Sequence, residues 1–159
     1  MMGLQPREFV WIISGQLAVA QRIGGYGFQH RRVRREEEIL WLQKEASINT
    51  ILSFMNANGN ITAHEEIPFA MHHEIVPDAP NADEVQRAMR SLHRALNQPG
   101  AIVLLHRDIV DDTLAGLLAG YLMYSKMVVD PIKAVAVIQE ILSRPIGPVG
   151  RAIITNATQ

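Results

Sequence analysis

Short apolar runs alternate with amphipathic stretches along the chain, and this alternation predicts an α/β protein. The runs that predict strands are residues 9–13, 17–20, 48–54, 67–76 and 101–105. The first two flank Gly15, which favours a hairpin or a bent pair of strands. The last run is apolar throughout, which is typical of a strand that is covered on both faces.

Apolar side chains at helical spacing predict four helices between and after these strands. The first helix is expected to begin near residue 34, and the other three are expected to span 83–97, 114–127 and 131–143. Residues 21–35 predict a loop, so that Glu36, Glu37 and Glu38 fall in the first turn of a helix, where negative charge suits the helix dipole. A last short apolar element lies around Ile153.

The chain has 159 residues, of which 48% are apolar and 19% charged. This size and composition predict one globular domain over residues 1–159. The longest uncharged apolar run, residues 114–124, is too short for a membrane span, which needs about 20 residues. The first residues lack the layout of a signal peptide, so we expect a soluble, cytoplasmic protein without a membrane partner.

Charge and cysteine content exclude several classes of function. The 15 Lys and Arg residues nearly balance the 16 Asp and Glu residues, so the net charge gives the chain no overall attraction to nucleic acid. There is no cysteine, which excludes disulfides, thiolate metal sites and cysteine nucleophiles. No cofactor is expected, and a homo-oligomer stays open.

Three stretches carry a family resemblance. Residues 9–18 have the pattern aromatic-x-Trp-x-x-x-Gly-x-Leu-Ala, residues 38–53 combine a helix with a strand, and residues 101–122 combine a strand, a loop and a helix. In this order they resemble the protein tyrosine phosphatase superfamily and, within it, the small dual-specificity phosphatases. The resemblance covers nearly the whole chain and implies a central mixed sheet of about five strands with helices on both faces.

The family's signature motif is His-Cys-x-x-Gly-x-x-Arg-Ser/Thr-Gly, and the sequence allows two registers for it. Counted back from the helix, Asp108 takes the Cys position and Leu114 the Arg position. Counted forward from His106, Arg107 takes the Cys position, with Thr113 or Leu114 at the Arg position. In both registers the chain lacks the sulfur that attacks phosphorus and the Arg that binds the phosphate oxygens.

The loop at 108–113 is also unsuited to phosphate. It contains no glycine, and it carries three carboxylates, those of Asp108, Asp111 and Asp112. At ~4 Å and an effective dielectric constant of about 20, each carboxylate would repel a unit charge by about 4 kcal/mol. We therefore expect a pseudophosphatase that binds or scaffolds, with Asp111, Asp112 or Thr113 capping the helix that follows.

Two further residues match positions of the family motif. Asp78 lies where the family has its general acid, and it is either a relic of that acid or a turn residue between prolines. His106 matches the family's His at the end of the signature strand, where the resemblance implies a structural hydrogen bond to the loop.

Two alternatives to the scaffold hypothesis stay open. Asp108, Asp111 and Asp112 follow an apolar strand, and carboxylates at such a place could hold a divalent metal and serve a different phosphatase chemistry. The arginines of the 31–35 loop could instead bind a polyanion or a phosphorylated partner. They are Arg31, Arg32, Arg34 and Arg35.

Overall fold

The computed structural model describes residues 3–25, 32–56 and 69–158. The described strands are β1 (Val10–Ile13), β2 (Leu17–Gln21), β3 (Thr50–Met55), β4 (Ala70–Ile75) and β5 (Val103–Arg107). The described helices are α1 (Arg32–Lys44), α2 (Ala82–Leu96), α3 (Asp112–Tyr124), α4 (Pro131–Leu142) and α5 (Pro148–Ala157). This set of strands and helices confirms the predicted α/β class.

The strands form one mixed sheet in the order β1-β2-β5-β3-β4. β1 and β2 pair antiparallel, which confirms the predicted hairpin, and the remaining neighbours pair parallel. Gln21 lies opposite Arg107, and Ser53 lies opposite His106. The carboxyl ends of β2, β5 and β3 therefore meet at the same edge of the sheet.

The chain divides into two compact units, each with its own buried side chains. The sheet unit comprises the described residues of 3–75 and 95–110, with all five strands and α1. Its core cluster consists of Ala18, Ala20, Ile23, Leu42, Ala46, Ile48, Ile51, Phe69 and Leu104. The Phe9 ring meets the Trp41 ring edge-on, with 4.9 Å between the centroids. The expectation of a single domain stays a prediction.

The helical unit comprises residues 76–94 and 111–158, with most of α2 and all of α3, α4 and α5. α3 is buried on every side from Thr113 to Leu122, as expected of a helix that is apolar all round. α4 begins as predicted, because Asp130 caps it and Pro131 is its first residue. No helix among the described residues is long and apolar enough to cross a membrane.

The helix that was predicted to begin near residue 34 is confirmed as α1, but it begins at Arg32, so the predicted loop at 21–35 extends too far. Residues 32–35 form the first turn of α1, and Glu36, Glu37 and Glu38 lie beyond that turn. The helix starts earlier because two ion pairs at i,i+4 spacing, Arg32–Glu36 and Arg34–Glu38, support its first turn.

Two other boundaries also differ from the predictions. β5 continues through His106 and Arg107, which were expected in a loop, because both polar side chains find buried hydrogen-bond partners. The apolar element around Ile153 is the helix α5. The first residues of the predicted strand at 67–76 lie outside the described residues.

Candidate functional site

The last two residues of β5 begin the loop that corresponds to the signature motif, and both are buried. His106 Nδ1 accepts the N–H of Ile23 at 3.3 Å, so the proton of a neutral ring lies on Nε2. Nε2 is 2.5 Å from Oγ of Ser53 on β3. These bonds tie β5 to β3 and to the segment after β2, and they support a structural role for His106.

Arg107 and Asp108 are the two candidates for the position of the family's cysteine. The Arg107 side chain is buried, and its Nη1 donates to the carbonyl oxygen of Phe54 at 3.0 Å. Asp108 lies 3.5 Å from Nη1 of the buried Arg22, which balances its charge. Neither side chain supplies a thiolate, and both make contacts within the sheet unit.

The start of α3 carries a carboxylate of its own. Asp111 is the N-cap, and its Oδ1 accepts the N–H of Leu114 at 2.9 Å. Free N–H groups at a helix N-terminus are a natural binding site for an anion. Here the Asp111 carboxylate, which belongs to the chain itself, accepts one of these N–H groups.

Asp112 caps a different helix from the one that it begins. Its Oδ1 accepts the N–H of Gly147 at 2.6 Å, and its Oδ2 accepts the N–H of Gly150 at 2.8 Å. Gly147 is the N-cap of α5 and has no side chain with which to cap it. The Asp112 carboxylate therefore holds α5 against the start of α3.

Replacing Asp112 with alanine is expected to lower the free energy of unfolding by about 3 kcal/mol, because two hydrogen bonds to a charged acceptor are lost. Asp130→Ala is the matched control, since Asp130 caps α4 with one bond to the N–H of Ile132 and should cost about 1 kcal/mol. Urea unfolding of both variants measures the difference. Equal losses would contradict the anchoring role of Asp112.

Thr113 and Asp78 meet within the helical unit. The Thr113 hydroxyl donates to the backbone carbonyl of Asp78. This bond fixes the residue at which the family's general acid would lie, while Asp78 itself is exposed. Its possible role as a relic acid stays a prediction.

The arginine candidates fall into three groups. Arg31 lies outside the described residues. Arg32 is 87% exposed and pairs with Glu36 on the surface of α1. Arg34 and Arg35 are partly buried, and Nε of Arg34 lies 2.8 Å from the fully buried Glu38. Sequence reasoning missed Glu38, although its i,i+4 spacing from Arg34 was a signal for the pair.

The candidate metal ligands are engaged with protein groups. Asp111 and Asp112 accept backbone N–H groups, and Asp108 faces Arg22. Within residues 3–25, 32–56 and 69–158, no three His, Asp or Glu side chains form a group that could hold a metal ion.

Sequence comparison finds no family model and no curated protein that match the chain. Structure comparison finds clear similarity at low identity. Tk-PTP in its active form superposes with a TM-score of 0.71 at 13% identity, covering 95% of this chain and 96% of that one. A variant of human DUSP28 superposes with a TM-score of 0.66 at 14% identity, covering 98% and 95%. The chain has the fold of the dual-specificity phosphatases.

A third similar structure bears on the missing nucleophile. Kinase associated phosphatase with its catalytic cysteine replaced by serine superposes with a TM-score of 0.70 at 17% identity, covering 94% of this chain and 93% of that one. The dual-specificity phosphatase fold thus accommodates the loss of that sulfur. The present chain has no cysteine at any position.

Proposed function

We propose that this chain is a catalytically inactive phosphatase-like domain that acts by binding or scaffolding. The observation that carries the proposal is the use of the loop's own carboxylates as caps. Asp111 accepts a backbone N–H of α3, and Asp112 accepts two backbone N–H groups at the start of α5. The Asp111 carboxylate thus lies at a helix N-terminus that could otherwise receive an anion, and the Asp112 carboxylate holds α5 in place.

The electrostatics of the loop support the same conclusion. A phosphate dianion at the start of α3 would compete with the Asp111 carboxylate for the same N–H groups. It would gain no fork-shaped contact at either candidate Arg position, since these positions hold Thr113 and Leu114. It would also find no thiolate to accept the phosphoryl group.

The test is hydrolysis by the purified full chain. We expect no release of phosphate from an aryl phosphate, or from peptides carrying phosphoserine, phosphothreonine or phosphotyrosine, above the rate in buffer. Addition of Mg²⁺ or Mn²⁺ should neither start hydrolysis nor raise the melting temperature, because the loop carboxylates already have protein partners.

If a rate of hydrolysis were measurable, one control would decide whether it overturned the proposal. If hydrolysis vanished in Asp108→Asn and persisted in Asp130→Asn, the loop would be catalytic and the carboxylate mechanism would replace the scaffold. Asp130 is the matched control, because it is an exposed aspartate that caps α4.

A further inference from the structure

The inward side of α1 carries guanidinium groups whose hydrogen bonds are incomplete. The Arg34 side chain is 12% exposed, and Arg35 is also partly buried. In the described part of the chain, Nη2 of Arg34 and both Nε and Nη2 of Arg35 are buried without an acceptor. A buried polar group that lacks a partner costs about 1–3 kcal/mol, and a charged one costs more. An acceptor for these N–H groups would therefore be stabilising, and the described residues do not provide one.

Among the described residues, the buried carboxylate nearby is already engaged. Glu38 is fully buried, its Oε2 accepts from Nε of Arg34 at 2.8 Å, and its Oε1 accepts the N–H of Gly24 at 2.7 Å. Arg35 precedes Glu38 by three residues on the same helix, yet no ion pair joins them among the described residues. The Arg34–Glu38 pair is neutral overall, so Glu38 does not also balance the charge of Arg35.

The place of these arginines favours a ligand site. Through Glu38, Arg34 is joined to Gly24, which follows the carboxyl end of β2. That end lies beside the carboxyl end of β5, since Gln21 is opposite Arg107. In α/β sheets, ligands bind outside the carboxyl ends of the strands.

We propose that Arg34 and Arg35 bind the phosphate group of a phosphate monoester. The unpartnered N–H groups of the two guanidiniums would donate to its oxygens, and the planar fork of Arg suits a phosphate better than the point charge of Lys does. Both side chains are partly exposed. The proposed binding needs neither cysteine nor hydrolysis.

The inference gives the proposed binding role a ligand class and rests on that role, but the two can fail separately. The proposed catalytic inactivity is tested by hydrolysis, whereas the proposed ligand class is tested by the binding of phosphate.

The experiment is a titration of the full chain with inorganic phosphate and, separately, with phenyl phosphate. Ionic strength is held constant with sodium chloride, and binding is followed by calorimetry and by the melting temperature. We expect saturable binding to the wild type, weakened about tenfold or more in Arg35→Gln, which loses charged hydrogen bonds. Arg32→Gln, with the same charge change on the exposed side of α1, should bind like the wild type. Tighter binding of phenyl phosphate would identify the ester, and not the free ion, as the ligand.

Arg35→Lys separates fork geometry from charge, because it keeps the charge and loses the fork; we expect it to bind nearly as weakly as Arg35→Gln. The proposal is wrong if binding fails to saturate, or if Arg32→Gln weakens it as much as Arg35→Gln does. Should Arg35→Gln not fold, nitrogen-resolved NMR of the wild type replaces it. Phosphate should then shift the Nε–H resonance of Arg35, and an unmoved resonance would overturn the proposal.

Discussion

Replacing Glu38 with glutamine is expected to lower the free energy of unfolding by about 3–5 kcal/mol, which is the cost of breaking a buried ion pair from one side. The Glu38 side chain is fully buried and accepts hydrogen bonds from Arg34 and from the N–H of Gly24. The amide cannot balance the charge of Arg34, and its NH₂ group cannot accept either bond.

The chain contains its own control for this substitution. Arg32 and Glu36 form a pair with the same residue types and the same i,i+4 spacing on the same helix. Their side chains are 87% and 57% exposed, so Glu36→Gln should change the free energy of unfolding by no more than about 0.5 kcal/mol. The comparison isolates burial, since the chemistry and the helix are shared.

Urea unfolding followed by circular dichroism measures both variants. Similar losses for Glu36→Gln and Glu38→Gln would refute the claim that the inner pair is a buried structural element. If Glu38→Gln does not fold, the double variant Arg34→Met with Glu38→Met should, because it removes the guanidinium of Arg34 together with the carboxylate that balances it.

Much of the sheet could be predicted from the sequence, because its signals are local. The apolar run that became β5 and the breaker at Gly15 each lie within a few residues, and they indicated a strand covered on both faces and a hairpin. The family resemblance added the expectation of a mixed sheet, which the order of the strands confirms.

The errors arise where partners lie far apart in the chain. Glu38 was expected in the first turn of a helix, but it is buried, and the N–H of Gly24, 14 residues earlier, donates to its carboxylate. The helix α5 was expected only as a short apolar element around Ile153, because its start contains Gly147, Pro148 and Gly150, which usually interrupt regular structure. Pro at the first helical position is compatible with a helix, and Asp112, 35 residues before Gly147, supplies the missing cap.

For the candidate site, too, the sequence predicted the features that depend on residue type but not those that depend on tertiary contacts. The absence of a catalytic sulfur and of a phosphate-binding Arg is a matter of residue types and could be read directly. What the loop does instead depends on tertiary contacts, such as those from Asp112 to Gly147 and Gly150. The three aspartates were grouped by sequence as possible metal ligands, whereas the structure gives Asp108 an arginine and the other two backbone N–H groups.

Gly116→Ala is expected to lower the free energy of unfolding by about 3 kcal/mol, at the upper end of the cost of overpacking a core. An alanine Cβ at this position of α3 would lie 2.5 Å from Cα of Gly150 and 2.6 Å from its carbonyl oxygen. These are backbone atoms of α5, so no rotamer change can make room. The expected sign is informative, because Gly→Ala inside a helix otherwise stabilises it by about 1 kcal/mol.

Gly120→Ala is the matched control one turn later on α3. Its Cβ would approach the side-chain carbon of Ala157, near the end of α5, at 2.8 Å. Because α5 can give way more easily at its end, the loss should be clearly smaller than for Gly116→Ala. A gain in stability for Gly116→Ala in urea unfolding would show that α3 and α5 do not pack as closely as the structure has them.

The same contact should couple Gly116 to the carboxylate of Asp112. A methyl group at Gly116 would displace Gly150, whose N–H donates to the Asp112 carboxylate at 2.8 Å. The substitution therefore weakens this hydrogen bond as well as the packing of α3 against α5. The double variant Gly116→Ala with Asp112→Ala should therefore lose less stability than the two single losses added together, by about 0.5 kcal/mol or more. Strict additivity would mean that the two substitutions act independently, and that the Asp112 cap is not coupled to the packing of α3 against α5.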